Sequence, residues 1–254
     1  MHVLFVHPNF PAQFGHIARH LVQRFGHQCT FLSEKPEGQT AGVRRLQYKS
    51  AGGARKETHY CARTFENQMW ASHAVFDALA RRPDVQPDLI VGHSGFMSTL
   101  FLRQLYCCPI INYFEYFYRI VNSDIDFRKD LPPCSTMDRL RALARNATIL
   151  LDLENCDAGY CPTNWQRSRF PEIVQSKLTT IFDGIETELW RPLEDAQLPI
   201  EGLPIPDGAR VVTYVSRGLE AMRGFDVFMK AAKRICDRRP DVIFLVIGED
   251  RVAY

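Results

Sequence analysis

His2-Val3-Leu4-Phe5-Val6-His7 is a short apolar run with the look of a buried strand, and the residues after it decide the fold. A turn-rich stretch follows, Pro8-Asn9-Phe10-Pro11. From Phe14, apolar residues recur at Ile17, Ala18, Leu21, Val22 and Phe25, intervals of three and four that put all six on one helix face. Gly26 ends that helix, and Cys29–Ser33 reads as the next strand. Strand, helix and strand at this spacing form a βαβ unit. The unit predicts an α/β fold, a Rossmann-like parallel sheet with helices on both faces and the first strand in its interior.

The rhythm continues downstream. Residues 36–64 are polar and Gly-rich, a loop with a short strand around Leu46–Tyr48. Helices are expected at Glu66–Ala80, at Gly95–Tyr106 and at Thr136–Asn146, and strands at Asp88–His93, Pro109–Glu115, Ala158–Pro162 and Leu178–Phe182. Thr148–Leu153 reads equally as more helix or as a strand, and Thr163 or Asn164 caps a short helix at Trp165–Phe170. Between Arg191 and Gly208, Pro192, Pro199, Pro204 and Pro206 interrupt any regular element. The pattern then restarts as strand Arg210–Val215, helix Phe225–Arg238 and strand Val242–Ile247. The expected organisation is a first domain over 1–191, a Pro-rich linker over 192–208 and a second Rossmann-like domain over 209–254. A single βαβ unit cannot bury both faces of its own sheet, so that second domain is expected to be incomplete.

Composition narrows the function classes. Of 254 residues, 46% are hydrophobic and 24% charged, as in an ordinary globular protein. Lys and Arg number 31 against 29 Asp and Glu, a net charge of +2, which gives no basic field for nucleic acid. The opening apolar run is too short for a signal peptide and no run reaches membrane-span length, so a cytoplasmic protein is expected. The eight cysteines are scattered without a Cys-x-x-Cys and read as reduced thiols. His16 and His20 share a helix face, but no nearby carboxylate or thiol completes a ligand set, so no metal is expected.

Two places could carry chemistry. His93 ends a parallel strand at its carboxyl end, where ligands bind in open α/β sheets; a histidine that only hydrogen-bonds its own loop is the alternative. In Ser216-Arg217-Gly218-Leu219-Glu220-Ala221-Met222-Arg223-Gly224-Phe225, two arginines converge on a helix start. Helix amides and guanidinium forks suit phosphate oxygens, while two solvated loop arginines are the plain alternative. No Gly-x-Gly-x-x-Gly follows the first strand, which removes the nicotinamide or flavin fingerprint. The aromatic run Tyr113–Tyr118 reads as core and rim packing before it reads as an acceptor groove. Arg139, Arg141 and Arg145 read as a solvated basic face with little apolar surface to insert into lipid.

Phe182-Asp183-Gly184-Ile185-Glu186-Thr187-Glu188-Leu189-Trp190-Arg191-Pro192 is similar to the segment that closes the first domain of family 4 glycosyltransferases, with Asp183 and Glu186 in place of the usual Asn and Asp. The 216–225 loop resembles that family's donor-phosphate loop, with Arg223 where a lysine is usual. Asn9 and Phe10 stand where a Gly-Gly pair is usual. The resemblance covers nearly the whole chain. It implies the GT-B fold, two Rossmann-like domains facing across a cleft, and a retaining transferase that needs no metal and no cofactor. A nucleotide-diphosphate sugar would be the donor and a sugar or lipid-linked molecule the acceptor, as in polysaccharide biosynthesis, with at most weak peripheral contact to a membrane. Arg217 and Arg223 would hold the donor diphosphate, and His93 would stand beside the transferred sugar as the catalytic-site residue. The family's Glu-x7-Glu segment does not occur in the expected place within 254 residues, so the chain alone is expected to be inactive. A non-catalytic partner or fragment, or another GT-B enzyme such as a sugar epimerase or phosphorylase, is the alternative.

Overall fold

A computed structural model of the chain describes residues 1–97, 99–194, 205–206 and 208–251. Two compact units are present, Met1–Leu189 and Trp190–Tyr254. Most of the expected Pro-rich linker, 195–204 and 207, lies outside the described residues.

The first unit is built on seven parallel strands: β1 (His2–Val6), β2 (Gln28–Ser33), β3 (Val43–Gln47), β4 (Leu89–His93), β5 (Ile110–Tyr113), β6 (Ala158–Cys161) and β7 (Leu178–Thr180). Their order across the sheet is β3-β2-β1-β4-β5-β6-β7. Every pair is parallel, and β1 is interior, with Val3–Val6 paired to both Cys29–Leu32 and Leu89–Gly92. The chain winds outward from β1 in one direction and then, from β4, in the other. The junction of β1 and β4 is therefore the topological switch point, where crossover loops diverge and leave a crevice.

Strand alternation explains the two-sided burial. Leu4 and Val6 join Leu32 and Ile90 in one core, whereas Val3 and Phe5 join Phe31 and Tyr113 in the other. Helix α1 (Gly15–Phe25) covers the second core through Phe14, just before it, and Ala18, with Ile17, Leu21 and Val22 partly buried. Helix α2 (Arg63–Ala80) covers the first through Val75 and Leu79. Phe25 departs from the expected face and is 60% exposed. The helix ends there, because Gly26 turns left-handed at φ +64° and its N–H returns to the Val22 carbonyl.

Helices α3 (Thr136–Ala144), α4 (Asn146–Asn155), α5 (Asn164–Arg169) and α6 (Glu172–Gln175) complete the unit. Residues 148–153 are thus helical, and Thr163 is the cap of α5, its hydroxyl accepting the Gln166 N–H. One expectation fails. Instead of a helix over 95–106 there is a loop and a single 3-10 turn at Leu100–Gln104. Gly95 takes φ +99°, and its carbonyl accepts a hydrogen bond from Gln68 of α2. The Thr99 N–H is taken by Asp152 of α4. Side chains from two helices thus satisfy backbone groups that a helix would have paired internally.

The second unit is a parallel pair, β8 (Arg210–Gly218) and β9 (Val242–Glu249), with helix α7 (Phe225–Cys236). Tyr214, Phe225, Phe228 and Phe244 pack ring against ring, while Val215 and Ile247 stay exposed.

Gly92 is the tightest point of the switch-point edge. A Cβ there would lie 2.4 Å from Thr99 Cγ2 and 2.6 Å from Asn112 Oδ1. Gly92→Ala is expected to cost about 1–3 kcal/mol by overpacking, read as a lower urea midpoint. An unchanged midpoint would mean that the Thr99 and Asn112 side chains yield freely.

Candidate active-site edge

His7 follows β1 and His93 ends β4, so the two imidazoles stand side by side at the switch point. Their ring centroids are 4.9 Å apart and the rings meet edge to face. His7 Nδ1 lies 2.9 Å from the Asn9 N–H and 3.0 Å from the Asn9 carbonyl, so the Asn9 backbone engages that nitrogen in either tautomer. His93 Nδ1 lies 2.8 Å from the Ser94 carbonyl and donates its hydrogen there. Both Nε2 atoms are buried, and among the described residues neither has a hydrogen-bond partner. The Glu115 carboxylate approaches His93 Nε2 to 3.4 Å without the alignment of a hydrogen bond.

The pair is electrostatically unequal. Burial first, and a charge on His93 second, push the His7 imidazole down to about 3, outweighing the Asn9 backbone and Glu115. The Glu115 carboxylate lies beside His93, whereas burial holds His7 neutral. The Tyr113 ring packs 4.8 Å from His93, and its hydroxyl donates to Asp183 at 3.1 Å. Burial, and next the Asp183 carboxylate, push the Tyr113 phenol up. Phe96 lies 4.9 and 5.5 Å from the two imidazoles, tilted against His93 and edge-on to His7, and remains 46% exposed.

A polar network behind the edge fixes this loop. Asp152, buried on α4, accepts the Ser94 hydroxyl at 2.7 Å and the Thr99 N–H at 3.1 Å. Gln68 accepts the Thr148 hydroxyl as it reaches Gly95, and Asn112 of β5 donates to the Thr99 hydroxyl at 2.9 Å. Beside the loop a hollow of about 300 Å³ opens, lined by residues that follow β1, β2 and β3, among them Pro8, Glu34 and Tyr48, and by Phe96.

The other residues singled out in the sequence fall as follows. Tyr113, Phe114 and Phe117 are core. Arg141 lies over the Tyr60 ring and Arg145 over the Tyr118 ring, so two of the three α3-region arginines pack inward. Met137, Leu140 and Leu143 on that helix are exposed, a correction to the expectation of little apolar surface. Asp183 accepts from the Tyr113 hydroxyl and Glu186 pairs with Arg19 of α1, so the 182–186 segment is tied to β5 and α1 within the first unit. In the second unit, Arg217 is exposed near the end of β8, and Arg223 sits in a 3-10 turn, its Nε 3.5 Å from the buried Glu220 carboxylate. Gly224, at φ +74°, leads directly into α7. Arg217 thus lies on the strand and Arg223 on the turn before that helix. Among the described residues, no three His, Cys, Asp or Glu side chains are placed to share a metal ion, and no helix is long and apolar enough to cross a membrane. His7 was missed in the sequence, although its place after an interior strand next to the His93 strand was the signal available.

A family model described as "Glycosyl transferase family 4 group" matches residues 25–190, more than half of the chain. No curated protein matches. Among solved structures, the chain is similar to CalG4, the calicheamicin glycosyltransferase, at 16% identity and TM-score 0.52, covering 99% of this chain and 66% of that one. It is similar to the glycotransferase of kitacinnamycin at 16% identity and TM-score 0.55, covering 99% and 67%. It is also similar to Phytolacca americana UGT2 complexed with UDP-2-fluoro-glucose and pterostilbene, at 10% identity and TM-score 0.52, covering 97% and 71%. The chain thus spans about two thirds of the length of these structures, and at such identities the likeness concerns the fold.

The His7 shift has a sign that can be checked. The unfolded chain binds a proton on this ring below its ordinary 6.5, and the native state refuses it until about 3. Its contribution is therefore complete above 6.5 and is lost as pH falls toward 3, by about 2 kcal/mol between pH 7 and pH 5. Urea titrations at the two pH values should show a smaller loss for His7→Gln than for the wild type. Equal losses would mean that His7 titrates normally in the native state.

Proposed function

The chain belongs to the glycosyl transferase family 4 group, and from that premise we propose that it serves the transfer of a sugar from a nucleotide-diphosphate donor to an acceptor held by the first unit, with retention of configuration. The observation that carries this reading is the His7–His93 pair at the switch point, with two buried Nε2 atoms that no described residue satisfies. The two rings lie at the carboxyl ends of adjacent parallel strands, where open α/β sheets bind their ligands. His93 would contact the transferred sugar, and Glu115 would favour a charged His93 as charge redistributes in the transition state. Arg217 and Arg223 would hold the donor diphosphate, with the N-terminus of the 12-residue helix α7 beside them. Stabilising the leaving nucleotide is an electrostatic task that needs no cofactor.

The acceptor is a sugar or a lipid-linked molecule, in keeping with polysaccharide biosynthesis. Exposed Met137, Leu140 and Leu143 beside Arg139 suit a weak contact with an anionic membrane surface. All eight cysteines are free, which suits the reducing cytoplasm. The domain division at 1–191, 192–208 and 209–254 remains part of this proposal.

Donor binding and turnover separate the roles. Arg217→Ala removes a contact made before and during transfer, so nucleotide-diphosphate affinity should fall about tenfold or more and turnover with it. His93→Ala should leave donor affinity nearly intact and lower turnover far more. Calorimetry with a nucleoside diphosphate, a transfer assay on the longest form of the protein and a melting curve test both variants. A His93→Ala protein that is stable and turns over normally would remove His93 from the site.

A further inference from the structure

Ser94 is tied at three points. Its N–H donates to the Tyr113 carbonyl at 3.0 Å, its hydroxyl donates to Asp152 at 2.7 Å, and its carbonyl stands 2.8 Å from His93 Nδ1. A carbonyl only accepts, so that bond requires the His93 hydrogen on Nδ1 and leaves Nε2 bare while the ring is neutral. An opposite pull is also present. The Glu115 carboxylate, partly exposed and 3.4 Å from Nε2, would draw the hydrogen to that nitrogen. Asp152 and Ser94 are 1% and 6% exposed, so little water screens the bond between them, and a hydrogen bond to a charged group is about twice as strong as a neutral one. Asp152 also takes the Thr99 N–H at 3.1 Å. An amide at 152 could not serve both donors, because one of its two ends gives hydrogens and does not take them.

We infer that Asp152 is a positioning residue for His93. It holds the Ser94 hydroxyl, the tied residue fixes where the Ser94 carbonyl points, and that carbonyl keeps the His93 hydrogen on Nδ1 against the pull of Glu115. The inference takes His93 as the site residue of the transfer reading above and adds what sets its tautomer. A neutral His93 held in this form presents Nε2 as an acceptor, so the group that meets it must bring the hydrogen. With the hydrogen on Nε2 the same ring would present a donor, and the edge would favour an acceptor instead. One buried carboxylate on α4 thus decides the direction of the hydrogen bond offered at the switch point.

Nitrogen NMR on histidine-labelled protein reads the hydrogen directly, and the signals lost in His93→Gln assign the ring. At a pH above the titration of the ring, wild-type His93 should carry its hydrogen on Nδ1. Ser94→Ala and Asp152→Asn should each move the tautomer ratio about tenfold toward the Nε2–H form. Thr99→Val removes the hydroxyl that pairs with Asn112 and keeps the N–H bond to Asp152, so it should lower the melting temperature and leave the tautomer alone. A role confined to stability would instead lower the melting temperature in all three variants and shift the tautomer in none. The inference is overturned by that result, by a wild-type hydrogen on Nε2, by a folded Ser94→Ala or Asp152→Asn protein with the wild-type ratio, or by an equal shift in Thr99→Val. In a transfer assay, Ser94→Ala should lower turnover and spare donor affinity. A shifted tautomer with normal turnover would support the positioning while counting against His93 in the transfer reading.

Discussion

Asp152 is buried on α4, and its two oxygens take the Ser94 hydroxyl and the Thr99 N–H. Those two residues bracket the loop that carries Phe96, immediately after His93. A buried carboxylate is tolerated only when its lone pairs are met, and a loop is rigid only when its backbone groups have partners. Each requirement here answers the other. Gln68 from α2 and Asn112 from β5 extend the same network, so Ser94, Gly95 and Thr99 are held by two helices and a strand at once. The position of Phe96 over the two imidazoles and beside the hollow depends on that bracing.

Gly92 belongs to the same constraint from the other side. Thr99 can sit down against β4 and β5 only because no Cβ projects from Gly92. The expected helix over 95–106 would have drawn Thr99 into its own ladder and away from Asp152. Packing two helices against a crowded strand end was favoured over a regular helix, and the residue that permits the turn is Gly95 in its left-handed conformation.

The two histidines illustrate how one edge can hold unlike partners of the same residue type. His7 is enclosed, with its Nδ1 engaged by the Asn9 backbone, and burial keeps it neutral. His93 has an acidic neighbour in Glu115 on the chain that leaves β5. A charge on His93 disfavours one on His7, a second reason after burial that His7 stays neutral. In the second unit a similar logic places Arg223 against Glu220, which orients the guanidinium on the loop before α7.

Periodicity alone determined a great deal. Apolar runs of strand length alternating with three-four spacing required a parallel sheet with both faces covered, and placed β1, α1, β2 and α2 close to where they lie. That His93 would end a strand and Arg223 precede a helix could be read from neighbouring residues. What lies between elements was not legible, because it depends on residues far apart in the chain. Nothing local to Leu46–Tyr48 shows that Tyr48 will wall a hollow with Asn67, nor anything near His7 that β4 will bring His93 beside it. Strand order is a property of the whole sheet, set when β4 pairs with β1 instead of β3. The sequence by itself determined the kind of fold and the ends of its strands; the tertiary structure decided which ends became neighbours, because only packing across the sheet brings side chains 86 residues apart into one site.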